Sequence, residues 1–285
     1  MASVAIVTDT CHYLPRQLVA ARGIHEVSLY VHWDGREDRE SALPDFDRYY
    51  DHLSSTPSLP TTSQPSIGDF LAVYEPLLDA GRDIVSIHLA GGMSGTVGAA
   101  QQAREQLGER APRVHVLDSE SACGGEGLVV LAAHAAAVRG TSAEDVVAHA
   151  RAARAELKMW FAIDTLEFLR RGGRIAAAQA WVGSALRIKP ILTVDSEITP
   201  IERVRTSGRA FERLVDYLRT RKDDGAEGWV IQHIQAPDEC ARLVARGREI
   251  FGTDPVFVSE VGPVIGTHVG PGLLGAGAVP LSYLS

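Results

Sequence analysis

Apolar positions follow two rhythms along the chain. In the first half, short β-branched runs alternate with segments whose apolar residues recur every three or four positions, the pattern of strands followed by amphipathic helices. Residues 4–7, 24–31, 83–90 and 113–117 read as strands, with 24–31 alternating like a half-exposed one. Helices fit 15–21, between Pro15 and Gly23, and 45–53 after Pro44. Ser66 and Asp69 spell a capping box for a helix over 66–80, which Pro76 should kink. Further helices fit 96–107, 127–138 and 142–157. A glycine turn at Gly124-Gly125 precedes the second of these, and a Thr141–Glu144 box opens the third. The stretch 54–66, SSTPSLPTTSQPS, reads as a structured loop rather than a helix or central strand. This repetition implies a doubly wound, mostly parallel sheet with helices on both faces.

The second half is different. Strands at 159–163, 191–194, 198–205, 229–234 and 256–261 are interspersed with helices at 165–171, 175–186, 207–220 and 237–250. Strands 191–194 and 198–205 are joined by a short turn near Asp195-Ser196, so they should pair antiparallel. A glycine-rich segment, 262–277, follows. The expected architecture is α/β: an N-terminal domain at 1–157 and a C-terminal α+β domain, with a largely antiparallel sheet, at 158–285.

Composition narrows the function classes. A chain of 285 residues, 45% hydrophobic and 22% charged, suits about two globular domains and excludes disordered and coiled-coil classes. With 28 basic and 36 acidic residues the net charge is −8, which disfavours nucleic acid as a main partner. Cys11, Cys123 and Cys240 form no CxxC pair, so free thiols in a reducing cytoplasm are expected. The N-terminal residues lack the features of a signal peptide, and the longest apolar helical run, 127–138, is too short to span a bilayer. A cytoplasmic protein without an integral membrane segment is the expectation.

The strongest chemical feature is GGMSGT at 91–96, between a strand and a helix. In an open parallel sheet, ligands sit beyond the carboxyl ends of the strands. Ser94 and Thr96 offer hydroxyls there, and the helix start offers free N–H groups, which suits an anionic head group. Ser94 can equally serve only as a helix cap. GxSxG fails because Thr96 holds the last glycine position, and no GxxxxGK[ST] occurs. Gly270, Gly272 and Gly275 form a GxGxxG without room for a following βαβ unit. No HExxH occurs and the histidines show no ligand spacing, so neither a metal nor a cofactor is indicated. Other polar clusters are TTSQP at 61–65, His268 among glycines, LRRGGRI at 169–175 and ERVRT at 202–206. Glycines flanking His268 suggest that something approaches the backbone closely.

Taken in order, these segments resemble the DegV family of bacterial fatty-acid-binding proteins: VTDT at 7–10, PTTSQPS at 60–66, GGMSGT, LRRGGRI, AQAWVGSALRIKPIL at 178–192 and GPVIGTHVGPG at 262–272. The resemblance implies a long-chain fatty acid in a tunnel between the two domains. The carboxylate would lie near Ser94 and Thr96, with Thr61 or Thr62 and His268 as neighbours and Arg174 linked more distantly or through water. Some family members present the acid to a separate kinase that phosphorylates its carboxylate. Arg203 and Arg205 are the candidate docking face for that partner. Met93 departs from many relatives and should reshape the head-group site. Trp160, Phe161, Ile163, Leu166, Phe168, Leu169, Ile175, Ile188 and Ile191 are candidate tunnel or core residues. Two other readings remain: a Ser94/His268 hydrolase of acyl esters or acyl phosphates, which needs an acid such as Asp9 to orient the histidine, and a protein–protein adaptor with an incidental lipid.

Overall fold

The computed structural model describes residues 3–56, 58–181 and 188–285. In chain order the strands are β1 (Val4–Asp9), β2 (His25–Val27), β3 (Tyr30–Trp33), β4 (Arg36–Arg39), β5 (Thr61–Ser63), β6 (Asp83–His88) and β7 (Val114–Asp118). They continue with β8 (Lys158–Ala162), β9 (Lys189–Asp195), β10 (Glu197–Val204), β11 (Gly228–His233), β12 (Phe257–Glu260) and β13 (Leu274–Val279). The helices are α1 (Arg16–Arg22), α2 (Asp47–Ser55), α3 (Ile67–Asp79), α4 (Thr96–Gln106) and α5 (Gly124–Val138). After them come α6 (Ala143–Glu156), α7 (Glu167–Arg171), α8 (Ser207–Asp223), α9 (Pro237–Phe251) and α10 (Pro263–Val269).

Three sheets organise these elements. A parallel sheet has the order β2-β1-β6-β7, and a mostly antiparallel one has the order β10-β9-β8-β13-β11-β12. A small sheet, β4-β3-β5, carries the third group. Helix α5 lies between the two larger sheets, sharing one apolar cluster with Ile6, Val85 and Ile87 of the first and Val230 and Val279 of the second. Its sequence, GGEGLVVLAAHAAAV, is apolar nearly all round, as a helix enclosed on several sides requires. Helices α3 and α4 cover the other face of the parallel sheet, and α8 and α9 the outer face of the antiparallel one.

The mixed α/β architecture and the Ser66–Asp69 capping box of α3 agree with the sequence reading. Several details differ. Residues 24–31 split at Ser28-Leu29: β2 stays in the parallel sheet, while β3 joins the small one. Leu29 N turns instead to Thr10 Oγ1. The helix expected from Thr141 is capped by Ser142 with Asp145, because the Thr141 hydroxyl donates to Ala136 O. Gly124 and Gly125 are the first residues of α5 rather than a separate turn. The loop 54–66 contains an edge strand, β5, placed after Pro60 and before Pro65. The glycine-rich 262–277 segment divides into α10 and β13, an interior strand of its sheet. Of the helix expected at 175–186, residues 176–181 form a 3-10 turn, and 182–186 lie outside the described residues.

Candidate functional site

A cavity of about 370 Å³ opens where the small sheet, α10, the loop after β6 and the antiparallel sheet converge. That volume is in the range of small-molecule sites, roughly 300–1,000 Å³. Its polar lining includes Thr62, Ser63, Gln64, Ser94, Arg174 and His268, and also Gln232 on β11, whose amide is hydrogen-bonded to Gly124 N and Ser259 Oγ. Leu29, Leu89, Phe161, Ile198, Val261, Val264, Ile265, Val269 and Leu273 supply much of the apolar wall.

Each polar side chain is positioned by its own element. Strand β5 pairs Thr62 with the buried Val31 and Thr61 with His32. Alternation along the strand therefore separates the two threonines. Thr62 lines the cavity; Thr61 is exposed and does not. Helix α10 starts at Pro263 and carries His268 in its last turn, where Nε2 meets Thr62 Oγ1 at 2.9 Å. The other ring nitrogen, Nδ1, is buried without a hydrogen-bond partner among the described residues and lies against Gly172, where any Cβ would overlap it. Burial, reinforced by the Arg174 charge, lowers the His268 pKa to about 4, so its imidazole is neutral near pH 7.

In the GGMSGT loop, Ser94 Oγ lies 2.8 Å from Thr96 Oγ1 and accepts from Thr96 N at 3.3 Å. Ser94 thus serves the start of α4 while lining the cavity; Thr96 is buried behind it and is not part of the wall. The GGMSGT and TTSQP motifs meet directly, because Gln64 fills the space that a side chain at Gly95 would need. Arg174 sits at the rim, exposed, donating to Gly172 O at 2.7 Å and Met93 O at 3.4 Å. Met93 itself lines the cavity. The close approaches anticipated around His268 are present: Tyr50 occupies the Cβ space of Gly266, and Phe168 that of Gly270.

Other candidates lie elsewhere. Asp9 is buried at the end of β1, where its carboxylate accepts from Cys11 N and Leu89 N and lies 3.2 Å from His88 Nδ1. It therefore orients His88, not His268, which corrects the arrangement a Ser94/His268 hydrolase was expected to use. Arg203 stacks over Trp181 and Arg205 is exposed just beyond β10; neither lines the cavity. Among the candidate tunnel residues, Phe161 reaches the wall, whereas Ile163, Leu166, Phe168, Leu169, Ile175 and Ile188 belong to the adjoining packed cluster. Trp160 and Ile191 pack on the opposite face, with α8.

The sequence reading overlooked three features. Met159 and Gly275 line the cavity because β8 and β13 present alternate residues to it. Cys123 also lines it, as a thiol whose pKa burial pushes well up. Glu40 is buried where it accepts from Tyr13 Oη at 2.9 Å and Val264 N at 2.8 Å, fastening the start of α10. Burial raises its pKa to about 7. Alternation flags the first pair once register is known; nothing in the local pattern flags Glu40.

Among the described residues no helix is long and apolar enough to cross a membrane. The family model described as "Uncharacterised protein, DegV family" matches residues 3–281. Protein DegV of Bacillus subtilis is 33% identical over 279 residues, covering 96% of this chain and 98% of its own. A DegV domain-containing protein of Streptomyces coelicolor is 38% identical over 275 residues, with coverage of 95% and 96%. A solved DegV family protein from Thermus thermophilus, described for its fatty acid binding, superposes with a TM-score of 0.88 at 33% identity, over 98% of this chain and 100% of that one. The crystal structure of DegV from Bacillus subtilis, a fatty acid binding protein, gives 0.86 at 32% identity, over 98% and 99%. Fold, motif order and near-complete coverage agree: the chain belongs to the DegV family.

Proposed function

We propose that this protein is a carrier that binds one long-chain fatty acid, with the carboxylate at the Thr62–Ser94–His268 corner and the alkyl chain along the apolar wall. The observation that carries the reading is a cavity whose wall combines the hydrogen-bonded Thr62–His268 pair and Ser94 with a largely hydrocarbon lining. Solved relatives described as fatty acid binding proteins support it. In this reading the cavity lies between two domains, 1–157 and 158–285.

The energetics fit. Burying a methylene is worth roughly 0.8 kcal/mol, so a tail of about fourteen offers on the order of 11 kcal/mol before ordering costs. A carboxylate in the same cavity loses several kcal/mol of hydration unless donors replace water. Thr62 and Ser94 supply hydroxyls. An orphaned buried N–H is costlier than an orphaned acceptor, so the unpartnered His268 Nδ1 favours a proton on Nε2. Nε2–H then donates to Thr62 Oγ1, leaving the Thr62 hydroxyl proton for the carboxylate. The tail supplies affinity; the hydroxyl corner sets polarity. Arg174, exposed at the rim, adds a positive charge near the carboxylate.

The same reading has the protein act in the cytoplasm and offer the carboxylate to a separate fatty acid kinase, with Arg203 and Arg205 contributing to docking. The carrier performs no catalysis of its own. Solvent extraction of protein purified from a lipid-replete host, followed by mass spectrometry, tests binding. A long-chain acid near one equivalent is expected, and its absence, together with failure to take up added palmitate or oleate, would refute the reading. Arg205→Glu should leave lipid content normal and slow phosphorylation by the kinase; an unchanged rate removes the docking proposal.

A further inference from the structure

Strand β13 leaves the end of α10 that carries His268, and two residues along it advance about 6.6 Å. Leu274, Ala276 and Ala278 pack toward α8 and α9, so Leu273, Gly275 and Gly277 share the opposite face. Leu273 and Gly275 line the cavity; Gly277 does not. The difference is Met159, its cross-strand partner on β8. A Cβ at Gly277 would stand 2.7 Å from Met159 Cγ, and one at Gly125 would stand 2.8 Å from Met159 Sδ. The thioether therefore occupies a slot between two glycines, one on the sheet and one on α5. A second cavity, of about 400 Å³, borders Met159 from the α8 side of the sheet, where Trp160, Tyr217 and Arg221 line it. Met159 and Val194 are the two described residues that border both spaces.

We infer that Met159 is the stop at the far end of the acyl chamber and Gly275 the open position beside it, so that this pair sets the chain length accepted. The inference rests on the fatty-acid reading above and concerns selection among chains. Methionine is unbranched and adaptable, so it can close a partition without rigid complementarity. Truncating it joins the two spaces and lengthens the chamber. A side chain at Gly275 projects into the chamber and shortens it; even a Cβ there would come within 3.3 Å of Phe161 Cβ, a fit that needs a small local adjustment.

The test loads delipidated protein with an equimolar mixture of laurate, myristate, palmitate, stearate and arachidate and reads bound species by native mass spectrometry. Met159→Ala should raise the stearate-to-palmitate ratio by about tenfold, the worth of two more buried methylenes. Gly275→Ala and Gly275→Val should lower the ratio, with valine having the larger effect. If folded variants retain the wild-type distribution, the length stop is refuted while fatty-acid binding stands. Wild-type protein that takes up none of the acids overturns the underlying reading as well. Should Met159→Ala fail to fold, the Gly275 variants decide the matter through the same ratio.

Discussion

Thr62 Oγ1 lies 2.9 Å from His268 Nε2, which joins an edge strand of the small sheet to the last turn of α10. Neither group is close to the other in sequence, and each orients the other at the polar corner of the cavity. Thr62→Val keeps the shape and removes the hydroxyl. A hydrogen bond to a charged acceptor is worth about 1.5–3 kcal/mol, so palmitate affinity should fall by roughly tenfold or more. Thr61→Val, on the exposed face, should leave affinity unchanged. Fluorescence or calorimetric titration of delipidated protein checks both, and equal losses would contradict the placement of the two threonines.

Gly172 is required by His268 rather than by helix termination alone. A methyl group there overlaps Nδ1 and should push the imidazole away from Thr62. Gly172→Ala should cost about 1–3 kcal/mol of stability and lower lipid retention. Gly173→Ala serves as a control, since φ is +70° there but no atom of the described residues lies near its missing Cβ. Thermal melting and extracted lipid content separate the cases: retention should fall in Gly172→Ala and persist in folded Gly173→Ala. Loss of retention confined to the control would contradict this account.

His268 has a pKa of about 4 in the folded protein against 6.5 ordinarily. Above pH 6.5 both states are neutral and the group's contribution is complete. As pH falls from 6.5 toward 4, the unfolded chain takes the proton first, so stability declines. Relative to His268→Gln, the wild type should therefore lose stability across this acidic window. Urea unfolding of delipidated protein at several pH values measures the difference, and parallel curves would contradict a buried neutral imidazole.

Glu40 acts in the opposite direction. Its carboxyl is raised to about 7 from 4.5, so between these values the folded state keeps a proton that the unfolded state has lost. Stability then falls as pH rises through the window, by about 3 kcal/mol in all. Glu40→Gln keeps an acceptor for Tyr13 and Val264 while removing the titration. The variant should gain on the wild type as pH rises from 4.5 to about 7, as read by urea unfolding; no relative gain would contradict the shift.

The parallel sheet and most helices were legible because their signals are local: β-branched runs, a Ser66–Asp69 box, glycines at helix ends. The motifs that form the polar corner were legible as motifs. Their geometry was less so. Thr61 and Thr62 became distinguishable only once 61–63 proved to be a strand, and prolines at 60 and 65 made that stretch read as loop. Asp9 has the residue type and sheet end for a catalytic acid, yet its partner depends on the neighbouring strand, where His88 is closer to hand. Met159 and Glu40 depend on packing between distant segments, which periodicity within one element does not encode.

The most direct measurement is a crystal structure of the protein purified from a lipid-replete host without delipidation. The account predicts one continuous alkyl tube of electron density ending in a planar fork within hydrogen-bond reach of Thr62 Oγ1 and Ser94 Oγ, its other end against Met159. A cavity filled by the protein's own side chains, or density with its polar end at Met159, would contradict it.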